Sequence, residues 1–144
     1  MILVSIHADL HVFEDMADYA RPLRLLLRFE DGAQLRLRVA GDGEGMVLDR
    51  LPLDGPFDMD EAGRVDIFDV TARLFPTLAG TAIERLRSID MRSGKRVGLA
   101  LCGSGEDFCF WIDGDEFHWG TASVLAAWPW LPGQDPAIGN EIKV

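Results

Sequence analysis

Arg24-Leu25-Leu26-Leu27-Arg28-Phe29-Glu30-Asp31-Gly32-Ala33-Gln34-Leu35-Arg36-Leu37-Arg38-Val39 decides the fold class. Two runs alternate apolar and polar residues on either side of Asp31-Gly32, which is how a β-hairpin is written. A two-residue turn of this kind places both central residues at positive φ, which Asp and Gly tolerate. Leu25, Leu27, Phe29, Leu35, Leu37 and Val39 are expected on the core face. Arg28, Glu30, Arg36 and Arg38 are expected to pair across the wet face.

Strands recur outward from this hairpin. Upstream, Ile2, Val4, Ile6, Ala8, Leu10 and Val12 fall at every second position, with Ser5, His7, Asp9 and His11 between them. This reads as a strand with one wet face. Glu14 to Pro22 reads as a polar connector with room for one helical turn. Downstream, Gly41-Asp42-Gly43-Glu44-Gly45 closes the hairpin, Met46 to Leu48 adds a short strand, and Leu51 to Gly63 is loop. Arg64 to Val70, Leu86 to Met91, Arg96 to Cys102, Asp107 to Ile112 and Glu116 to Trp119 read as strands, the last four separated by Ser93-Gly94, Ser104-Gly105 and Asp113-Gly114. Thr121 to Trp128 is the one expected helix, stopped by Pro129. The tail from Pro132 reads as loop.

Leu25–Met46 also lies over Gly98–Trp119 at a constant offset without a gap, Gly32 on Gly105 and Leu35, Leu37 and Val39 on Phe108, Phe110 and Ile112. The expected architecture is therefore mostly β or α+β. Antiparallel sheets are built from two similar hairpin units, as a sandwich or a partly open barrel, with one short C-terminal helix. The 144 residues fit a single domain spanning 1–144.

Composition bounds the chemistry. Twenty-four acids against 14 bases give a net charge of −10, which repels nucleic acid and anionic membrane and attracts a basic partner. No apolar run is long enough to span a bilayer, and Met1-Ile2-Leu3-Val4-Ser5-Ile6-His7 has no basic leader, so a cytoplasmic protein is expected. Cys102 and Cys109, both in apolar stretches, read as reduced buried thiols.

Several motifs imitate known sites. His7-x-Asp9-x-His11 would set imidazole, carboxylate and imidazole on one strand face, the ligand types zinc or iron takes. No second histidine-rich segment completes the shell, and such a face is also what an amphipathic strand carries. Asp58 to Asp69 follows a calcium-loop spacing with Gly63 sixth, but Ala62 stands fifth and Asp69 replaces the bidentate Glu. Gly103-Ser104-Gly105 lacks the last glycine of a nucleophile turn, and Gly41-x-Gly43-x-Gly45 has no helix behind it to cradle phosphate. No Ser/His/Asp or Cys/His set emerges, so neither an enzyme nor a cofactor is expected.

Trp128-Pro129-Trp130-Leu131-Pro132 follows the expected helix. Its tryptophans either pack as core or stand exposed among acids as a protein-binding hot spot. Size, charge and the pattern Val97-Gly98-Leu99 through Phe108-Cys109-Phe110-Trp111 to Asp113-Gly114-Asp115-Glu116 resemble the small acidic immunity proteins that bacteria encode against their secreted toxins. That resemblance implies a non-enzymatic inhibitor that covers a basic toxin by charge complementarity. The partner-binding residues expected are Asp54, Asp58, Asp60, Glu61, Asp113, Asp115, Glu116, Trp128 and Trp130. The competing expectation is a metal- or small-ligand-binding domain using His7, Asp9 and His11. A homodimer that hides the aromatic surface is a third.

Overall fold

The computed structural model describes residues 1–143. Among these residues, twelve strands run in chain order. They are β1 (Leu3–Phe13), β2 (Met16–Ala17), β3 (Arg24–Phe29), β4 (Gln34–Val39), β5 (Met46–Asp49), β6 (Phe57–Asp58), β7 (Arg64–Asp69), β8 (Arg85–Asp90), β9 (Arg96–Cys102), β10 (Phe108–Asp113), β11 (Glu116–Thr121) and β12 (Ala137–Ile142). Two short helices join them, α1 (Thr71–Leu74) and α2 (Ala122–Ala127), with a 3-10 turn at Asp60–Ala62. The fold is thus mostly β and antiparallel, with no closed barrel. It has two short helices where the sequence announced one.

The chain forms two compact units, Met1–Arg38 with Leu48–Ala82, and Val39–Val47 with Ile83–Val144. The first sheet runs β5-β4-β3-β1-β7-β6, with β2 beside β1; the second runs β11-β10-β9-β8-β12. The two orders match. In each sheet a meander is closed by a later strand that returns to pair with the meander's first strand.

The expected offset between the two hairpins is corrected by one residue. Leu25 pairs with Leu37, whereas Gly98 pairs with Trp111 rather than with Phe110. The β9–β10 turn therefore holds one more residue, and a slip of one exchanges the faces of a strand.

The β3–β4 turn also differs from the expected form. Only Gly32 takes a positive φ, +89°. Its N–H donates to Phe29 O, and the Asp31 carboxylate accepts from the Ala33 N–H. This matches a three-residue hairpin loop with a left-handed glycine in third place.

Ile6, Ala8, Leu10 and Val12 are buried as expected, as are Leu25, Leu27, Leu35 and Leu37 beside them in register. The alternation of β1 breaks at its start, where Leu3 is buried while Ile2 and Val4 are exposed. The register shifts between Leu3 and Ser5, and such a bulge moves every later side chain to the other face.

The opposite face is not wet. Asp9, Leu26 and Arg36 share that face of β1, β3 and β4, Asp9 opposite Arg24 and Leu26 opposite both His7 and Arg36, and all three are buried. The segment between β5 and β6 lies over them, with Leu53 buried in it.

In the second unit, Cys109 and Trp111 of β10, Ala100 and Cys102 of β9, and Ile89 of β8 form a cluster under Leu125 of α2. Gly98 lies opposite Trp111, and a Cβ there would fall 2.2 Å from Phe110 O, so that position admits no side chain. Alanine and leucine favour α2, Glu106 accepts from both the N–H and the hydroxyl of Ser123 at its start, and Pro129 follows its end.

Three segments read as loop or connector contain strands, one of them residues 51–63, which hold β6. Glu14 and Asp15 take positive φ without glycine, and they turn β1 into β2 where a helical turn was allowed for. β12 pairs with β8 at the sheet edge despite Gly139 and Asn140, its register breaking between Ile138 and Glu141.

Candidate functional site

The charged groups of the first unit divide into those the fold uses and those it leaves at loop tips. Asp9 is fully buried and accepts three hydrogen bonds, from Arg24 Nε at 2.6 Å and from the N–H groups of Asp54 and Gly55 at 2.9 Å each. Asp54 itself lies 3.3 Å from Arg24 and 3.3 Å from Arg36. Arg36 grips Asp49 with two parallel bonds of 2.8 and 2.7 Å and donates to Pro52 O. This fork geometry is the strong form of a guanidinium–carboxylate pair. It holds the Asp49 carboxyl below the usual carboxylate range and raises the Arg36 guanidinium further. Asp9, Asp49 and Asp54 therefore fasten the segment after β5 onto the sheet, and Asp54 is not a free acid on a loop.

This network also settles where the His7-x-Asp9-x-His11 face lies. His7 stands 3.9 Å from Asp69, and His11 Nε2 donates to Ala62 O. The Asp9 carboxylate between them is turned onto Arg24 and the loop backbone. Among the described residues no group of three or more His, Cys, Asp or Glu side chains converges as a metal shell. Ser5 Oγ is 3.5 Å from His7 Nδ1, but the 3.9 Å from His7 to Asp69 exceeds hydrogen-bond reach. Asp69 is already bonded to the hydroxyl and N–H of Thr71, which lowers its pKa.

The calcium-like run folds as β6, a 3-10 turn and β7. Asp58 accepts from the Asp60 N–H, Asp60 and Gly63 take positive φ, and Arg64 pairs with Asp66. No cation pairs with Asp58, Asp60 or Glu61 among the described residues.

The second unit brings together candidates that lie far apart in sequence. Asp113 ends β10, and its Oδ2 accepts the Trp128 indole N–H at 2.8 Å. Its carbonyl accepts from His118 Nε2 at 3.0 Å. His118 lies against Trp128 with ring centroids 4.4 Å apart, and Trp128 meets the buried Trp111 edge-on at 5.4 Å. Trp128 and Trp130 are both half-buried and pack on the core cluster of this unit.

Beside them opens a cleft of about 660 Å³. Met91, Arg92, Ser93 and Lys95 of the β8–β9 turn form one wall, and Ile112, Asp113 and Gly114 another. Pro129, Trp130 and Leu131 form a third, with Gly43 and Glu44 at the rim. Leu131 is 65% exposed. Lys95 pairs with both Asp42 and Glu44, at 2.5 and 3.2 Å, which pulls the Asp42 carboxyl down to about 2. Asp115 stands beside Gly43 in the same rim, without a cation among the described residues. The sequence pointed to Trp130 and Asp113 but missed Met91, Arg92, Lys95 and Leu131. They belong to a hairpin turn and a tail that meet the tryptophans only in space.

Both thiols are buried. Burial, followed by the nearby Asp107 carboxylate, pushes Cys109 up to about 12 and raises Cys102, so neither is a ready nucleophile.

Among the described residues no helix is long and apolar enough to cross a membrane. Compared with protein-family models, curated proteins and solved structures, the chain matches none.

Proposed function

We propose that this chain is a non-catalytic, acidic protein-binding domain. It captures a basic partner in the manner of a bacterial immunity protein neutralising a toxin in the cytoplasm. The observation that carries the reading is the sorting of its carboxylates. Asp9 and Asp49 are matched by guanidiniums, whereas Asp58, Asp60, Glu61 and Asp115 stand at turn tips with no cation among the described residues.

Unpaired acids raise the local negative field and speed encounter with a positive surface, while the aromatic and apolar residues near the β10–β11 turn supply contact area. The charge is shared evenly. Thirteen acids face eight bases in the first unit, and eleven face six in the second. A partner is therefore drawn to either unit. The matched strand order of the sheets supports reading the chain as a duplication that presents two sets of tips.

The test starts from the host. A tagged chain is used to capture a basic, stoichiometric protein at low salt, and association of the purified pair is then timed. Asp58→Lys with Glu61→Lys should slow association about tenfold and flatten its dependence on salt, with the melting temperature unchanged. Asp60 is kept because its positive φ would strain a lysine. An unchanged on-rate removes this loop from the interface, and capture that is indifferent to salt refutes the electrostatic reading altogether.

A further inference from the structure

We propose that the cleft of the second unit seats a lysine or arginine side chain from the partner protein, with Asp113 as its counter-ion and Trp130 and Leu131 along its stem. The inference rests on the protein-binding reading above and adds the chemistry of the occupant. Three observations within one unit point to it.

The first is space of the right kind. About 660 Å³ is open beside Met91, Trp130 and Leu131, apolar surface that an alkyl stem covers well while its charged head stays at the rim. The second is a positioned carboxylate. Asp113 lines the cleft, and one of its oxygens is fixed by the Trp128 indole N–H. The other oxygen has no partner among the described residues. A carboxylate held by one hydrogen bond offers its second oxygen in a defined place, and a charge-assisted bond to a cation is the strong use of it. An indole face nearby adds the attraction of its quadrupole for the same cation.

The third is the charge of the rim. Lys95 is matched by Asp42 and Glu44, and Asp115 carries no cation among the described residues, so the turns around the opening are net negative. Arg92 is the exception, a cation lining the cleft with no acid paired to it among the described residues. That exception gives the inference a sign. Arg92 opposes a basic occupant and would attract an acidic one. A second copy of this chain would bring the same acids to the opening and is disfavoured by like charge.

The experiment uses the full chain labelled with 5-fluorotryptophan, whose four resonances are assigned with Trp130→Phe and its three counterparts. Capped pentalysine and capped pentaglutamate are titrated at low salt. With pentalysine the Trp130 resonance should move saturably, and pentaglutamate should leave it in place. Asp113→Asn keeps an acceptor for Trp128 and should weaken pentalysine by about three- to tenfold. Arg92→Ala should tighten it by about threefold.

Tighter pentaglutamate binding at Trp130, an unmoved Trp130, an indifferent Asp113→Asn or a weakening by Arg92→Ala each overturns the proposal. Pentalysine that binds by calorimetry without moving Trp130 overturns the cleft alone and leaves the acidic-surface reading to the Asp58/Glu61 test. Unshifted Trp111 and Trp119 resonances in each free variant show that the unit still folds.

Discussion

Replacing Asp9 by alanine tests whether the buried ion network holds the first unit together. The carboxylate is inaccessible to water and accepts three hydrogen bonds, two of them from the backbone of Asp54 and Gly55. Its removal leaves two part-buried N–H donors unmatched and takes from Arg24 its nearer carboxylate. Breaking a buried pair from one side costs about 3–5 kcal/mol. Arg24 keeps Asp54 at 3.3 Å and is 19% exposed, which places this case at the lower end, about 3 kcal/mol. For a chain of this size that is a drop of about 9 °C in melting temperature.

Urea unfolding should be followed by far-UV circular dichroism and by tryptophan fluorescence. All four tryptophans, Trp111, Trp119, Trp128 and Trp130, belong to the second unit. The dichroism midpoint must therefore fall, and a fluorescence midpoint that stays behind would show the first unit opening alone. Asp9→Asn, which keeps one acceptor edge, should lose less. Asp18→Ala, which removes an exposed pair with Arg21, should lose under about 0.5 kcal/mol. If Asp9→Ala costs no more than Asp18→Ala, the network does not fasten the loop and the reasoning fails.

Two further predictions follow from titration and burial. The folded Asp49 carboxyl sits below its unfolded value, because Arg36 hydrogen-bonds its charged form. In the intervening range the unfolded chain binds the extra proton, so the pair's contribution is complete above about pH 4 and is lost as pH falls through the folded value. The urea midpoint should hold from about pH 7 to 5 and drop below about 4. Asp49→Asn should lower the plateau and flatten that drop; an equally steep drop in the variant would assign the acid sensitivity elsewhere. A thiol reagent such as dithionitrobenzoate at about pH 8 should leave the native protein unlabelled and release two equivalents after denaturation, and rapid native labelling would contradict the burial of Cys102 and Cys109.

Local pattern carried the strands well, because the alternation of Leu35–Val39 and the apolar runs of Leu25–Phe29 and Phe108–Ile112 need only neighbours to be read. Pro129 marked the end of α2 for the same reason. What escaped depended on distant chain. The fate of Asp9 is decided by Asp54 and Gly55, about 45 residues on, and no period in β1 announces it. The bulge after Leu3 reverses the face of Val4 without any glycine or proline as a sign. β12 is assigned by its partner β8, since Gly139 and Asn140 are poor strand formers on their own. At the cleft, Trp130 and Asp113 drew notice as residue types. Met91 and Arg92 became part of the same place only once the β8–β9 turn was folded beside them.

The units are braided along the chain rather than strung one after the other. Nine residues, Val39–Val47, leave the middle of one to complete the other. Residues 83–144 produced alone would deprive Lys95 of both its acids and the cleft of Gly43 and Glu44 on its rim. No single cut between Met1 and Val144 yields either unit whole. A shortened version that keeps the cleft must instead graft that nine-residue piece back in, most simply by joining it through a new linker to the start of β8.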